Sequence, residues 1–246
     1  MSSNPKIPDF DANLIISEAE TIASASAEMF WNESVKTVLS VCCSLPDALF
    51  PTLKGCNSRS DYITKWLKKY FGGYNNRPSK RKSKKIGTVS DEIIDTILSA
   101  RLPELSIDKI NKIKSAHRLS MSAENILGLL LEEYLAEKLS SYGWYCAWGE
   151  TMDKVDFCTK EGELLQIKNR SNSENSSSSS VRRGTQIRKW HRVNASNGVY
   201  YWRELNQLIG ESELSEEDFC IFVRKTINEN PSVLYVEDSN YWLEIQ

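Results

Sequence analysis

Residues 155–168, Val-Asp-Phe-Cys-Thr-Lys-Glu-Gly-Glu-Leu-Leu-Gln-Ile-Lys, constrain the fold of this chain more than any other stretch. Apolar and polar side chains alternate on both sides of Lys160-Glu161-Gly162, the period of two expected of half-buried strands. The three central residues have the length and glycine placement of a hairpin loop whose last residue is left-handed and forms a bulge. Thr159 then faces Glu163. Continuing the register pairs Cys158 with Leu164, Phe157 with Leu165 and Asp156 with Gln166, so Asp156, Gln166 and Lys168 share one face. A slip of one residue would move Asp156 to the other face.

An acid, an amide oxygen and a lysine placed together suit metal-assisted hydrolysis of a phosphodiester. Hard oxygen ligands hold Mg²⁺, which polarises the phosphoryl oxygen and lowers the pKa of the attacking water. A lysine beside the metal orients that water and offsets developing charge. The competing reading of the same spacing is an amphipathic surface hairpin with solvated polar residues.

Upstream, residues 122–139 carry Ile126, Leu127, Leu130, Leu131, Leu135 and Leu139 at helical spacing, with Ser122 as a candidate cap and Gly143 as the stop. Glu132 lies beside that stripe and can lean toward the polar face of the hairpin. Downstream, Asn169, Arg170, Asn172, Asn175, Ser176, Arg182, Arg183, Arg188, Lys189 and Arg192 gather small polar and cationic side chains. Such side chains approach phosphates and base edges closely, and arginine pairs bidentately with guanine. The segment reads as a DNA-facing loop leading into a basic helix from about Thr185, or as a disordered surface loop before an amphipathic helix. Trp190 reads as a packing residue and His191 as a surface histidine.

A glutamate-bearing helix, a Gly-Trp turn, an acid-bearing strand and a strand ending in x-x-Lys together resemble the core of the PD-(D/E)xK nuclease superfamily. Gln166 stands where that pattern has a second acid, and Val155 where it has proline. The Gln-Ile-Lys-Asn-Arg strand end, the Ala123-Glu124-Asn125 helix start and the Asn/Ser/Arg segment narrow the resemblance to the SinI and AvaII group of type II restriction endonucleases, most densely over residues 116–190. The resemblance implies Mg²⁺-dependent double-strand cleavage within GGWCC, where W is A or T. It implies Asp156 as chief metal ligand, Gln166 and the Ile167 carbonyl as neutral ligands, Glu132 completing the shell, and Lys168 orienting the water. A near-palindromic target cut on both strands by one hairpin per chain implies a homodimer. Two alternatives stay open: a nuclease of the same fold acting on damaged or branched DNA, and a non-catalytic DNA-binding module.

The expected architecture is α/β: a restriction-endonuclease-like PD-(D/E)xK core, a mixed sheet flanked by helices, over residues 116–246, preceded by a mainly helical region over 1–115. Helices are expected at residues 13–40, 61–71, 91–100 and 107–115, with Ser90 and Ser106 as caps. Strands are expected at 219–224, 233–237 and 241–245. The 246 residues carry a net charge of −2 that is unevenly placed. Arg77, Lys80, Arg81, Lys82, Lys84 and Lys85 form a basic run, which reads equally as a phosphate-contacting loop or a solvated one. Six cysteines without disulfide-framework or zinc spacing, and no apolar run long enough for a bilayer, point to reduced thiols in a cytoplasmic protein without membrane partners.

Overall fold

The computed structural model describes residues 6–84, 91–171, 186–210, 213–238 and 240–243. Four helices come first: α1 (Ala12–Ser24), α2 (Glu33–Ser44), α3 (Pro46–Leu49) and α4 (Arg59–Asn75). Asp11, Asn32 and Ser58 each cap a following helix by accepting a backbone N–H, and Ser58 with Asp61 forms a reciprocal capping box. The expected single helix over 13–40 is thus two, separated where Asn32 begins a new one.

After α5 (Ile93–Arg101), one long helix, α6 (Ile107–Leu139), runs through the stretch where two helices were expected. Ser106 caps it as expected, but Ser122 is buried inside it. No proline interrupts residues 107–139, and one glycine, Gly128, is too weak a breaker to end a helix that packs along its length. Gly143 does stop the segment, in the left-handed region at φ 77°.

The sheet has four strands in the order β1 (Trp144–Cys146), β2 (Phe157–Thr159), β3 (Leu164–Arg170) and β4 (Ile187–Val193). β1 and β2 are antiparallel, as are β2 and β3, whereas β3 and β4 run parallel. The hairpin register is the one read from the sequence: Cys158 opposes Leu164, Phe157 opposes Leu165, and Thr159 N–H donates to the Glu163 carbonyl at 3.1 Å. Gly162 takes φ 87°, the left-handed residue that the loop required.

The basic segment expected to begin a helix is instead β4. Arg, Lys and Gln favour helix in isolation, but pairing along the whole length of β3 outweighs that preference. The segment expected as a strand at 219–224 is α8 (Glu216–Glu229), which follows α7 (Trp202–Ile209). Its N-cap Ser215 and its acidic first turn of Glu216, Glu217 and Asp218 are helix-start signals that the short apolar run obscured. The strands expected at 233–237 and 241–245 are absent from the described residues, which form short 3₁₀ turns at Pro231–Val233 and Tyr241–Leu243.

The mixed sheet is flanked by helices in the restriction-endonuclease-like manner: α2 packs on β1 and β2, α6 on β1 and β3, and α7 on β4. Tyr134 of α6 packs edge-on against Trp202, which in turn stacks at a tilt on Trp190 of β4, tying helices to sheet. The six cysteines are free. Among the described residues no helix is long and apolar enough to cross a membrane.

Candidate active site

A loop over residues 147–155 links β1 to β2 and is fixed on the N-terminal helices. Trp66 of α4 donates to the Thr151 carbonyl at 3.0 Å, and Asp153 N–H donates to the Leu49 carbonyl of α3 at 2.8 Å. At Gly73 and Gly149 the backbones of α4 and the loop touch. A Cβ at Gly149 would lie 2.1 Å from the Lys69 carbonyl oxygen, and one at Gly73 would lie 2.2 Å from the Gly149 nitrogen. Gly149 has φ 70°, and Glu150 and Lys154 are non-glycine residues at φ 55° and 65°. Three left-handed residues in so short a segment fold it tightly enough to bring Glu150 within 3.4 Å of Lys69 on α4.

Asp156 enters the site through an irregularity that the regular register did not anticipate. Its N–H donates to the Leu165 carbonyl at 2.9 Å, although Leu165 is already the partner of Phe157, so two residues oppose one in the manner of a β-bulge. Pairing therefore ends at Phe157, and the Asp156 carboxylate takes over from the backbone, accepting the Ile167 N–H at 2.7 Å. In an extended strand a residue's N–H and carbonyl share an edge, so the Ile167 carbonyl faces the same side as Asp156.

Two adjoining cavities meet at Asp156. One, about 540 Å³, is lined by Gln166, Lys168, Asp153 and Lys69; the other, about 440 Å³, by Glu132 and Arg81; Asp156 and Glu150 line both. The structure thus brings Asp156, Gln166 and Lys168 together, while Glu132 approaches Asp156 from the neighbouring cavity. Gln166 is buried, at 5% exposure, and Lys168 is half-buried. Glu132 accepts a contact from the Cys146 thiol at 3.6 Å.

Burial first, and then the charge of Asp156, push the Glu132 carboxyl up to about 7. Burial likewise raises Asp156 to about 6, against the opposing pull of the Ile167 N–H and of Lys168. Glu150, which pairs with Lys69 at 3.4 Å, adds a repulsive charge to both. Two enclosed carboxylates that repel one another have an unmet demand for a cation. Hard oxygens from Asp156, Glu132, Gln166 and the Ile167 carbonyl suit Mg²⁺. No three acidic, cysteine or histidine side chains converge as a metal-binding group among the described residues, so neutral oxygens have to complete any such shell.

The parallel register puts Gln166 beside Lys189 and Lys168 beside His191, which extends the polar face of β3 onto β4. The other face carries Ile167 beside Trp190, with Asn169 held by Arg192 at 2.8 Å. Arg192 is itself buried and paired with Glu216, and Arg188 pairs with Glu163 at 2.9 Å. Arg170 and Lys189 are exposed. Asn172, Asn175, Ser176, Arg182 and Arg183 lie outside the described residues.

Glu150 is the site residue that the sequence did not disclose. Its only mark there is a place after Trp148-Gly149, and the backbone contact that makes this place matter involves Gly73, far away in the chain. His191 also differs from expectation: its Nδ1 is buried, without a hydrogen-bond partner among the described residues, on the strand next to Lys168.

The family described as SinI restriction endonuclease matches residues 19–229. The type II restriction enzyme SinI of Salmonella infantis is 41% identical over 141 residues, and the type II restriction enzyme Eco47I of Escherichia coli is 42% identical over 142. These alignments cover 55% and 56% of this chain and 61% of each relative. With a family match that spans most of its length, and with the hairpin and helix of that resemblance in place, the chain belongs to the SinI restriction endonuclease family.

Proposed function

We propose that this protein is a type II restriction endonuclease that makes Mg²⁺-dependent double-strand cuts in DNA at the near-palindromic site GGWCC, acting as a homodimer in the cytoplasm. The observation that carries the reading is Asp156, which stands between Gln166 and Lys168 on one side and Glu132 on the other. Family membership and the two related type II restriction enzymes support the reaction class.

Asp156, Glu132, Gln166 and the Ile167 carbonyl would hold Mg²⁺, which when bound supplies Lewis-acid stabilisation of the phosphoryl oxygen and a more acidic water. Lys168, half-buried on the same face as Gln166, orients the attacking water and offsets the negative charge that builds on the phosphoryl group. The bulge fixes the Asp156 carboxylate through Ile167 N–H, so the acid is positioned before substrate arrives. Gln166 brings an oxygen without a charge, which leaves Glu132 a larger share in holding the cation. Arg170 and Lys189 are exposed and suited to phosphate contact, as proposed also for Asn172, Asn175, Ser176, Arg182, Arg183 and Arg188. Asn169 and Arg192 bond one another on the face of the sheet opposite Gln166 and Lys168, and the Arg192 guanidinium is spent on Asn169 and Glu216.

Plasmid digestion with and without Mg²⁺, followed by sequencing of the ends, tests the function. Discrete fragments whose ends each carry part of a divided GGWCC site are expected from the wild type. Lys168→Ala should lose about a hundredfold or more in cleavage rate while duplex binding is retained. Normal cutting by Lys168→Ala, or fragments without a common sequence, would refute the assignment. Sedimentation on a cognate duplex should show two chains per duplex.

A further inference from the structure

The basic run at residues 77–84 is tied down on two sides. Arg77 pairs with buried Glu133 at 3.2 Å, donates to the Tyr74 carbonyl at 2.6 Å and lies 4.0 Å over the Tyr74 ring. The N–H and hydroxyl of Ser79 both donate to the Glu133 carboxylate, the former at 2.9 Å. From the other side, Asn230 donates to the carbonyls of Pro78 and Arg81 at 2.8 and 2.9 Å, and Ser83 N–H donates to the Ser232 carbonyl at 2.8 Å. A solvated loop has no use for a buried carboxylate and an asparagine that bridges two of its carbonyls.

The tethering sorts the cations. Arg77 is consumed as an anchor. Lys80, Lys82 and Lys84 are exposed, alternating with half-buried Arg81 and Ser83. Arg81 lines the cavity that also holds Glu132 and Asp156, and among the described residues no carboxylate is ion-paired with it. An arginine that lines the same cavity as two acids, on a tethered backbone and ion-paired with neither, is placed for an anion that arrives from outside. Glu132 and Glu133 are neighbours in α6, so a single turn of helix fixes both the acid of the site and the loop beside it.

We infer that residues 77–84 form a preorganised phosphate clamp, in which Arg81 grips a backbone phosphate next to the bond being cut and Lys80, Lys82 and Lys84 follow the same strand. The inference rests on the nuclease reading above. Holding the loop before DNA arrives removes an ordering cost that a free basic tail would bear on binding. Contacts of this kind go to phosphates, so they carry affinity without sequence preference.

The test is the salt dependence of binding to two short labelled duplexes, one with GGWCC and one without, in the absence of divalent metal. Each phosphate contact contributes about 0.9 to the slope of log K against log salt concentration. Arg81→Gln should flatten that slope by about 0.9 on both duplexes, with a loss of roughly tenfold in affinity at ~0.1 M salt. Arg81→Lys should restore the slope, which a packing role for the guanidinium would not do. Neutralising the exposed Lys80, Lys82 and Lys84 to Gln together should flatten it further, and this variant serves if Arg81→Gln does not fold. Unchanged slopes in the variants, with Mg²⁺-dependent cleavage by the wild type intact, overturn the clamp alone. A wild type that neither cuts nor binds overturns the clamp and the nuclease reading together.

Discussion

Replacing Glu132 with glutamine should stabilise the metal-free protein while impairing its reaction. The Glu132 carboxyl is raised from 4.5 to about 7 by burial and by Asp156. Because the folded state holds this proton more tightly than the unfolded chain, the contribution is complete below pH 4.5 and is lost as pH rises through about 7. At ~1.4 kcal/mol per pH unit the loss at pH 8 has a ceiling of about 3 kcal/mol, reduced to about 2 by residual solvent at this half-buried group. Glutamine preserves an oxygen toward the Cys146 thiol and never ionises, so the variant escapes the loss. In a chain of this size 1 kcal/mol moves Tm by about 2–4 °C, so Glu132→Gln should melt roughly 4–8 °C above wild type at pH 8. The gap should close by pH 4. Thermal melts in EDTA across that range provide the assay. The same melts with Mg²⁺ should show wild type gaining stability that the variant gains only weakly, because ligand binding stabilises the folded state in proportion to affinity. A variant no more stable than wild type at pH 8, or a gap independent of pH, would refute the electrostatic account of the site.

Two further predictions concern the parts that frame Asp156. Gln166→Glu should keep cleavage and bind metal more tightly, whereas Gln166→Leu should abolish cleavage, as read by digestion at graded Mg²⁺; activity retained in the leucine variant excludes a ligand role. Gly149→Ala forces a Cβ to within 2.1 Å of the Lys69 carbonyl oxygen at φ 70°, so it should cost about 2 kcal/mol or more in stability and lower cleavage by displacing Glu150 and Asp156. Wild-type melting and rate in that variant would show that the contact between α4 and the loop does not hold the site.

The sequence by itself determined the hairpin, because alternation and Gly162 leave one register that pairs Phe157 with Leu165, and that register puts Gln166 and Lys168 on one face. It also marked a helix stopping at Gly143 with Glu132 beside its apolar stripe. Local signals failed where pairing or distance in the chain decides. β4 is a strand because β3 offers it a full ladder, and nothing within Ile187–Val193 announces that partner. α8 is a helix because of its cap Ser215 and the three acids of its first turn, which a six-residue apolar window does not include. The bulge at Asp156, the arrival of Glu150 through the contact of Gly73 with Gly149, and the tethering of the basic run by Glu133 and Asn230 all depend on residues far apart in sequence. Period and turn chemistry act over a few residues and are readable in order along the chain; the enclosure that raises Glu132 and Asp156, and the anchoring that seats the basic run beside their cavity, exist only once distant backbones are in contact.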